Sequence, residues 1–229
     1  MSDAPSDFLG PGPTVESESP EVRALATRAA GDAVTDKERA IRLYYVVRDE
    51  IRYDPYTSSV EVEGLKATRT LALGRGWCVS KAILLAAGCR ALGVPARLGF
   101  ADVRNHLSTE KMRQRMQTDI FYWHGYTSIH LDGRWLKATP AFNIELCHKF
   151  GLEPLEFDGA EDSIYHPFDV AGNRHMEYLG YRGEFAEPPC GEMRATFLEH
   201  YPHWRDRSDI ATADFDAEVA RETAAGTPH

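Results

Sequence analysis

Residues 78–92 read Cys-Val-Ser-Lys-Ala-Ile-Leu-Leu-Ala-Ala-Gly-Cys-Arg-Ala-Leu, an apolar run in which Lys81 and Arg90 are the only charges. A helix that is apolar on every side is a buried helix. Gly93 and Pro95 stop it, as a C-terminal glycine followed by proline does. Upstream, the pattern predicts amphipathic helices. Pro20 to Ala30 has proline in its first turn. Thr35-Asp36-Lys37-Glu38 is a capping box, after which Ile41, Tyr44, Val47 and Ile51 repeat at helical spacing until Asp54-Pro55. Residues 56–67 read as loop with a short strand at 59–62, and residues 67–73 as one or two helical turns.

Downstream of Pro95 the period changes. Residues 96–103 alternate as a strand, 105–118 form a polar helical excursion with Ser108 as N-cap, and 121–131 form an aromatic strand. Asp132-Gly133 is a two-residue hairpin signal, which makes 134–139 the returning strand. No period emerges over 141–190; helices follow at 193–200 and 214–223. Helices, then a buried helix, then an antiparallel sheet define an α+β fold rather than alternating βαβ units. Residues 1–19, rich in Pro, Ser, Gly and acids, read as a mobile leader. Residues 20–204 read as a single domain, and 205–229 as an acidic helix or tail.

Composition narrows the partners. The formal net charge of −9 argues against nucleic acid and anionic membrane. No run reaches the ~20 apolar residues that span a bilayer, and the polar, acidic N-terminus is unlike a signal peptide. The expected location is the cytoplasm. The four cysteines at 78, 89, 147 and 190 are too scattered for a disulfide framework, and no C-x-x-C pair exists to hold structural zinc.

Cys78 falls in the first turn of the buried helix, where free N–H groups and the helix dipole favour a thiolate. A nucleophilic thiol needs a base, and the base an orienting group. With a two-residue loop at 132–133, paired positions sum to 265. Tyr126 then faces Thr139 and His124 faces Ala141, and His124, Tyr126, Ser128 and His130 share one side. Thr139 and Asn143 become diagonal neighbours of His124, roughly 7–8 Å away by backbone.

Gly76-Trp77-Cys78 opening an apolar helix that closes in Leu92-Gly93-Val94-Pro95-Ala96-Arg97 resembles the cysteine segment of the transglutaminase-like superfamily. His124-Gly125-Tyr126, continuing through Leu131-Asp132-Gly133-Arg134-Trp135, resembles its histidine segment. The resemblance spans about residues 36–142 as a layout. It implies a papain-like α+β core, a cysteine helix packed on an antiparallel sheet, and acyl transfer from amides through a thioester to water or an amine. Two positions depart from the family pattern. Its closing Asp-Pro is Thr139-Pro140 here, and its histidine-segment tryptophan is Tyr126.

The site expected on this basis has Cys78 as nucleophile and His124 as base. Thr139 or Asn143 orients the imidazole, and the Cys78 backbone N–H is an oxyanion donor. Trp77, Trp123 and Tyr126 line the substrate slot. Arg104, Asn105 and His106 read as a lid or a solvated loop; Asp162, His166, Asn173, Arg174 and His175 read as an acceptor side or as loop polar residues. The reading requires no metal and no cofactor. Its partner is a peptide, protein or small-molecule acyl donor, and the sequence leaves the oligomeric state open. Two other readings stand beside it: a catalytically silent binding module of the same fold, and a metal-dependent hydrolase using His124 and His130.

Overall fold

A computed structural model describes residues 4–105, 108–165, 176–206, 208–210 and 213–224. In chain order the elements are α1 (Pro20–Ala30), α2 (Asp36–Glu50), β1 (Arg52–Tyr53), α3 (Val62–Leu65), α4 (Ala67–Leu73), β2 (Arg75–Gly76), α5 (Cys78–Ala91), β3 (Ala96–Asn105), α6 (Glu110–Met116), β4 (Ile120–Leu131), β5 (Arg134–Ala138), α7 (Ile144–Phe150), β6 (Met176–Phe185), α8 (Cys190–His200) and α9 (Phe215–Ala224). Strands β5, β4, β3 and β6 form an antiparallel sheet in that spatial order. Helix α5 packs across β4 and β3, with α1, α2 and α4 on its other sides. The fold is α+β, as the change of period predicts.

Every residue of α5 from Cys78 to Arg90 is buried. At about 25 cal/mol per Å² of apolar surface, this helix is the main hydrophobic element of the core. The capping box at Thr35 and Glu38 is formed on both sides. The hairpin has Asp132 and Gly133 at φ 49° and 80°, the two left-handed residues of a type I′ turn. Its ladder runs Leu131↔Arg134 to Thr127↔Ala138, the register the two-residue loop dictates.

Beyond Ala138 the register expectation fails. Thr139 leaves β4 and its N–H donates to Ser163 O at 3.0 Å. His124 therefore pairs across the sheet with Ala101 of β3, not with Ala141. The short strand expected at 59–62 does not form, a helical turn beginning at Val62 instead, and Thr109 rather than Ser108 caps α6. Helix α7 and strand β6 occupy the stretch where no period was legible. Residues 4–19, expected as a mobile leader, are packed on the body. Val15 is fully buried, Phe8 meets Trp135 edge-on at 5.4 Å, and the Glu187 carboxylate accepts from Thr14 N, Thr14 Oγ1 and Val15 N. No helix among the described residues is long and apolar enough to cross a membrane.

The two charges of α5 serve the fold. The Arg90 guanidinium donates to the carbonyls of Ala96, Gly10 and Ala186. Lys81 is fully buried, and its ammonium donates to the Arg48 and Ile51 carbonyls at 2.9 and 2.5 Å, capping the C-terminal end of α2. Burial pushes its pKa down to about 7. A base whose pKa falls on folding penalises the folded state below that pKa, and the penalty lifts as pH rises toward the unfolded value near 10.4. In urea unfolding, the stability of wild type relative to Lys81→Met is expected to grow between pH 7 and 9, by up to about 1.4 kcal/mol per pH unit. A difference that stays flat over that range would mean the two carbonyls retain the proton.

Candidate active site

Cys78 opens α5, with Trp77 as the N-cap residue in extended conformation. Strand β4 crosses the start of this helix at Gly125. A Cβ there would lie 2.8 Å from the Val79 Cα, so only glycine permits the approach. One turn further along α5, Thr127 Oγ1 donates to the Ala82 carbonyl at 2.8 Å and holds the same contact. The backbone N–H groups of Gly125, Val79 and Cys78 itself lie near enough to the sulfur to favour its thiolate. His124, the residue before Gly125, lines one cavity with Cys78.

The cavity is small, about 70 Å³. Trp77, Phe121, Phe197, Tyr201 and Trp204 supply aromatic walls, and Met112 and Met116 of α6 close one side. No carboxylate lines it among the described residues. Cys78 is 6% exposed, and burial pushes its thiol up to about 11 against the opposing pull of the three N–H groups. The sequence expectation of a resting thiolate is thus reversed: desolvation outweighs the helix dipole. Burial also raises the other thiols, Cys89 to about 12, Cys147 to about 11, and half-buried Cys190 in the same direction.

The remaining predicted residues divide. Trp77 lines the cavity, and its indole N–H is buried without an acceptor among the described residues. Trp123 lies outside the lining, its indole N–H donating to Thr196 Oγ1 at 3.0 Å. Tyr126 covers Gly99 and donates to Glu184 Oε1 at 3.1 Å, also away from the cavity. Asn143 Oδ1 accepts the Tyr53 N–H at 3.0 Å and so fastens β1. Thr139 is buried, and its hydroxyl approaches the Tyr178 phenol without a well-directed hydrogen bond.

The ring neighbours of His124 are Tyr165 and Tyr178, edge-on at 6.2 and 6.4 Å between centroids. Neither was identifiable beforehand, because both fall in or beside the aperiodic stretch. His130 lies six residues along β4 from His124, roughly 20 Å at 3.3 Å per residue, and packs on Trp135. That separation prevents the two histidines from sharing a metal ion. No cluster of three or more metal-ligating side chains occurs among the described residues. Asp162 receives the Lys137 N–H and Arg104 pairs with Asp119 at 3.0 Å, both structural contacts. His106, His166, Asn173, Arg174 and His175 lie outside the described residues.

One further residue shapes the approach to His124. Between Ala101↔His124 and Val103↔Phe121 the ladder slips, so Tyr122 and Trp123 together oppose Asp102. This is a β-bulge on β4. Trp123 takes φ 60°, a left-handed conformation that costs a bulky residue about 1–3 kcal/mol. The Asp102 carboxylate accepts the Trp123 N–H at 3.1 Å and the Arg182 guanidinium at 2.6 Å. The side chain of a strand residue thus replaces the ladder bond that the bulge removes.

An α+β fold with a thiol and an imidazole on one cavity defines a papain-like arrangement. The sequence matches the family model of the transglutaminase-like superfamily over residues 23–140, more than half of the chain, and the chain belongs to that superfamily. No curated protein matches the sequence. Among solved structures, the chain is similar to a candidate cysteine protease from Cytophaga hutchinsonii at 16% identity and TM-score 0.48, covering 80% of this chain and 55% of that one. It is also similar to a candidate protease from Parabacteroides distasonis at 15% identity and TM-score 0.39, covering 59% and 25%. The chain thus spans about half the length of the first and a quarter of the second. The family match alone carries the assignment.

Asp102→Ala is expected to lower stability by about 1–3 kcal/mol and to slow alkylation of Cys78, because the strained peptide before His124 loses its acceptor. Asp102→Asn retains an oxygen for the Trp123 N–H and is expected to lose less than half as much. Urea unfolding read alongside iodoacetamide labelling of each cysteine checks both. Equal losses in the two variants would transfer the effect to the Arg182 ion pair.

Proposed function

We propose that the protein is a cysteine-dependent acyl-transfer enzyme, hydrolysing or transferring an acyl group through a thioester on Cys78. The observation that carries this reading is the shared cavity of Cys78 and His124, beside the crossing of β4 over the start of α5 at Gly125. A thiol held up at about 11 is almost wholly protonated at neutral pH, so the mechanism begins with proton removal and not with a standing thiolate. His124 takes the proton as sulfur bonds to the carbonyl carbon, then returns it to the leaving group as that bond breaks. Water or an amine enters by the reverse sequence and frees the thiol.

The oxyanion that forms needs donors in a dry site. The Cys78 backbone N–H is one, and the Trp77 indole N–H, which has no acceptor among the described residues, is the second. Among the described residues no carboxylate lines the cavity. The Thr139 hydroxyl is the reading's candidate to orient the ring, and the Tyr165 and Tyr178 rings confine it on two sides. Asn143 is committed to Tyr53 and holds the strand that enters the site.

Exposure of the protein to activated thioesters, followed by intact-mass and peptide mapping, is expected to show acylation of Cys78. Cys78→Ala should abolish it, and His124→Ala should slow it by about 10²–10⁴-fold. Without substrate, iodoacetamide labelling of Cys78 should climb about tenfold per pH unit from pH 7 toward 10, since its folded pKa of about 11 keeps the thiolate scarce below that. Normal folding of Cys78→Ala with unchanged acylation would sink the enzyme reading and leave a binding module in its place.

A further inference from the structure

The cavity at Cys78 opens beside a second hollow of about 490 Å³. Tyr56, Ser58, Trp204 and Ile210 belong to the walls of both. The two hollows have opposite chemistry. The inner slot is walled by aromatic and methionine side chains. The outer groove carries the hydroxyls of Thr57 and Ser59 with Asp54, Arg69 and Arg75. Asp54 and Arg75 are paired at 3.2 Å, while exposed Arg69 has no ion pair among the described residues.

The slot rejects charge. Its one guanidinium, Arg115, is already matched: it pairs with Asp209 and donates to the His203 and Asp206 carbonyls. An ammonium entering the slot would find no carboxylate among the described lining residues, and a carboxylate would meet only Arg115, already paired, and the His124 imidazole, whose proton the reaction requires; burying an unpaired ion is heavily disfavoured. The slot also limits size. Its 70 Å³ is about half of the roughly 150 Å³ cavity that accepts benzene. Scaled from the six carbons that the benzene cavity takes, it holds about three heavy atoms. Phe197, Tyr201, Trp204 and Ile210 come from beyond residue 140, outside the family-matched segment. One wall of the slot therefore comes from this chain's own C-terminal third.

Resting on the acyl-transfer reading above, we infer that the substrate is an amide or thioester of a short, uncharged aliphatic acid of three or four carbons, its polar leaving group seated in the outer groove. The acyl chain fills the slot as the Cys78 sulfur bonds to the carbonyl carbon. The leaving amine or thiol takes the proton held by His124 and departs through the groove. Water then adds to the thioester, releasing the carboxylic acid and restoring the thiol.

The test uses N-acetylcysteamine thioesters of acetate, butyrate, succinate, octanoate and benzoate, with a glutamine-containing peptide as a further donor. Rates of Cys78 acylation are read by intact mass on the full chain. Butyryl is expected to exceed acetyl several-fold, and to exceed octanoyl, benzoyl, succinyl and the peptide by tenfold or more. Met112→Ala, which removes a slot wall on the surface helix α6, should raise octanoyl relative to butyryl at least fivefold. Cys78 adducts that form equally fast with octanoyl or benzoyl, or faster with succinyl or the peptide, overturn the substrate assignment and leave the nucleophile standing. Adducts in the expected order with no shift in Met112→Ala overturn the role of the slot. Absence of any Cys78 adduct overturns both this inference and the acyl-transfer reading.

Discussion

The site depends on one steric allowance. Strand β4 can lie against the first turn of α5 only because residue 125 has no side chain, and the same approach brings Gly125 close to the thiol-bearing turn. A methyl group there would meet backbone, which has nowhere to yield. Thr127 then ties the strand to the Ala82 carbonyl. The helix supplies burial, the strand supplies His124, and the glycine sets their separation. Because α5 is buried on every side, its position is fixed by the whole core, and the thiol inherits that rigidity.

Rigid burial carries an electrostatic consequence. Helix termini favour anions, but the gain is of order 1 kcal/mol, up to about 2 when partly buried. Desolvating a thiolate in an aromatic cavity costs more, and the thiol stays protonated. In the proposed reaction, the thiol attacks only as its proton passes to the His124 imidazole, which Tyr165 and Tyr178 flank.

Much of this architecture was legible in the residues. The buried helix follows from its uninterrupted apolar run, and the β4–β5 register follows from Asp132-Gly133, because a two-residue turn leaves no freedom in pairing. What escaped were features that depend on contacts remote in sequence. Pro140 lies just beyond the last ladder pair, and the pairing ends one residue before Thr139, so counting to position 141 overshot. The bulge at Trp123 leaves no sequence signature, since tryptophan is not a residue that marks a left-handed position. Its tether, Asp102, reads as an ordinary strand-end acid. Strand β6 alternates poorly because it is an edge strand whose Leu179 and Tyr181 stay exposed. The segment before residue 20 looked mobile by composition, yet its few apolar residues, Phe8 and Val15, are the ones that dock.

That docking bears on how the chain comes together during synthesis. Thr14 and Val15 are held by Glu187, 173 and 172 residues away, and Gly10 shares Arg90 with Ala186. Thr14 and Val15 therefore have no place to settle until Glu187 has been made. Contacts this distant in sequence form late, after loop-closure entropy has been offset by the core. The family-matched segment between them can collapse first, around α5, and the two outer segments then clasp each other across it. The same late-arriving C-terminal third also carries the slot walls Phe197, Tyr201 and Trp204. Closure of the fold and completion of the cavity would then be consecutive parts of one final folding event.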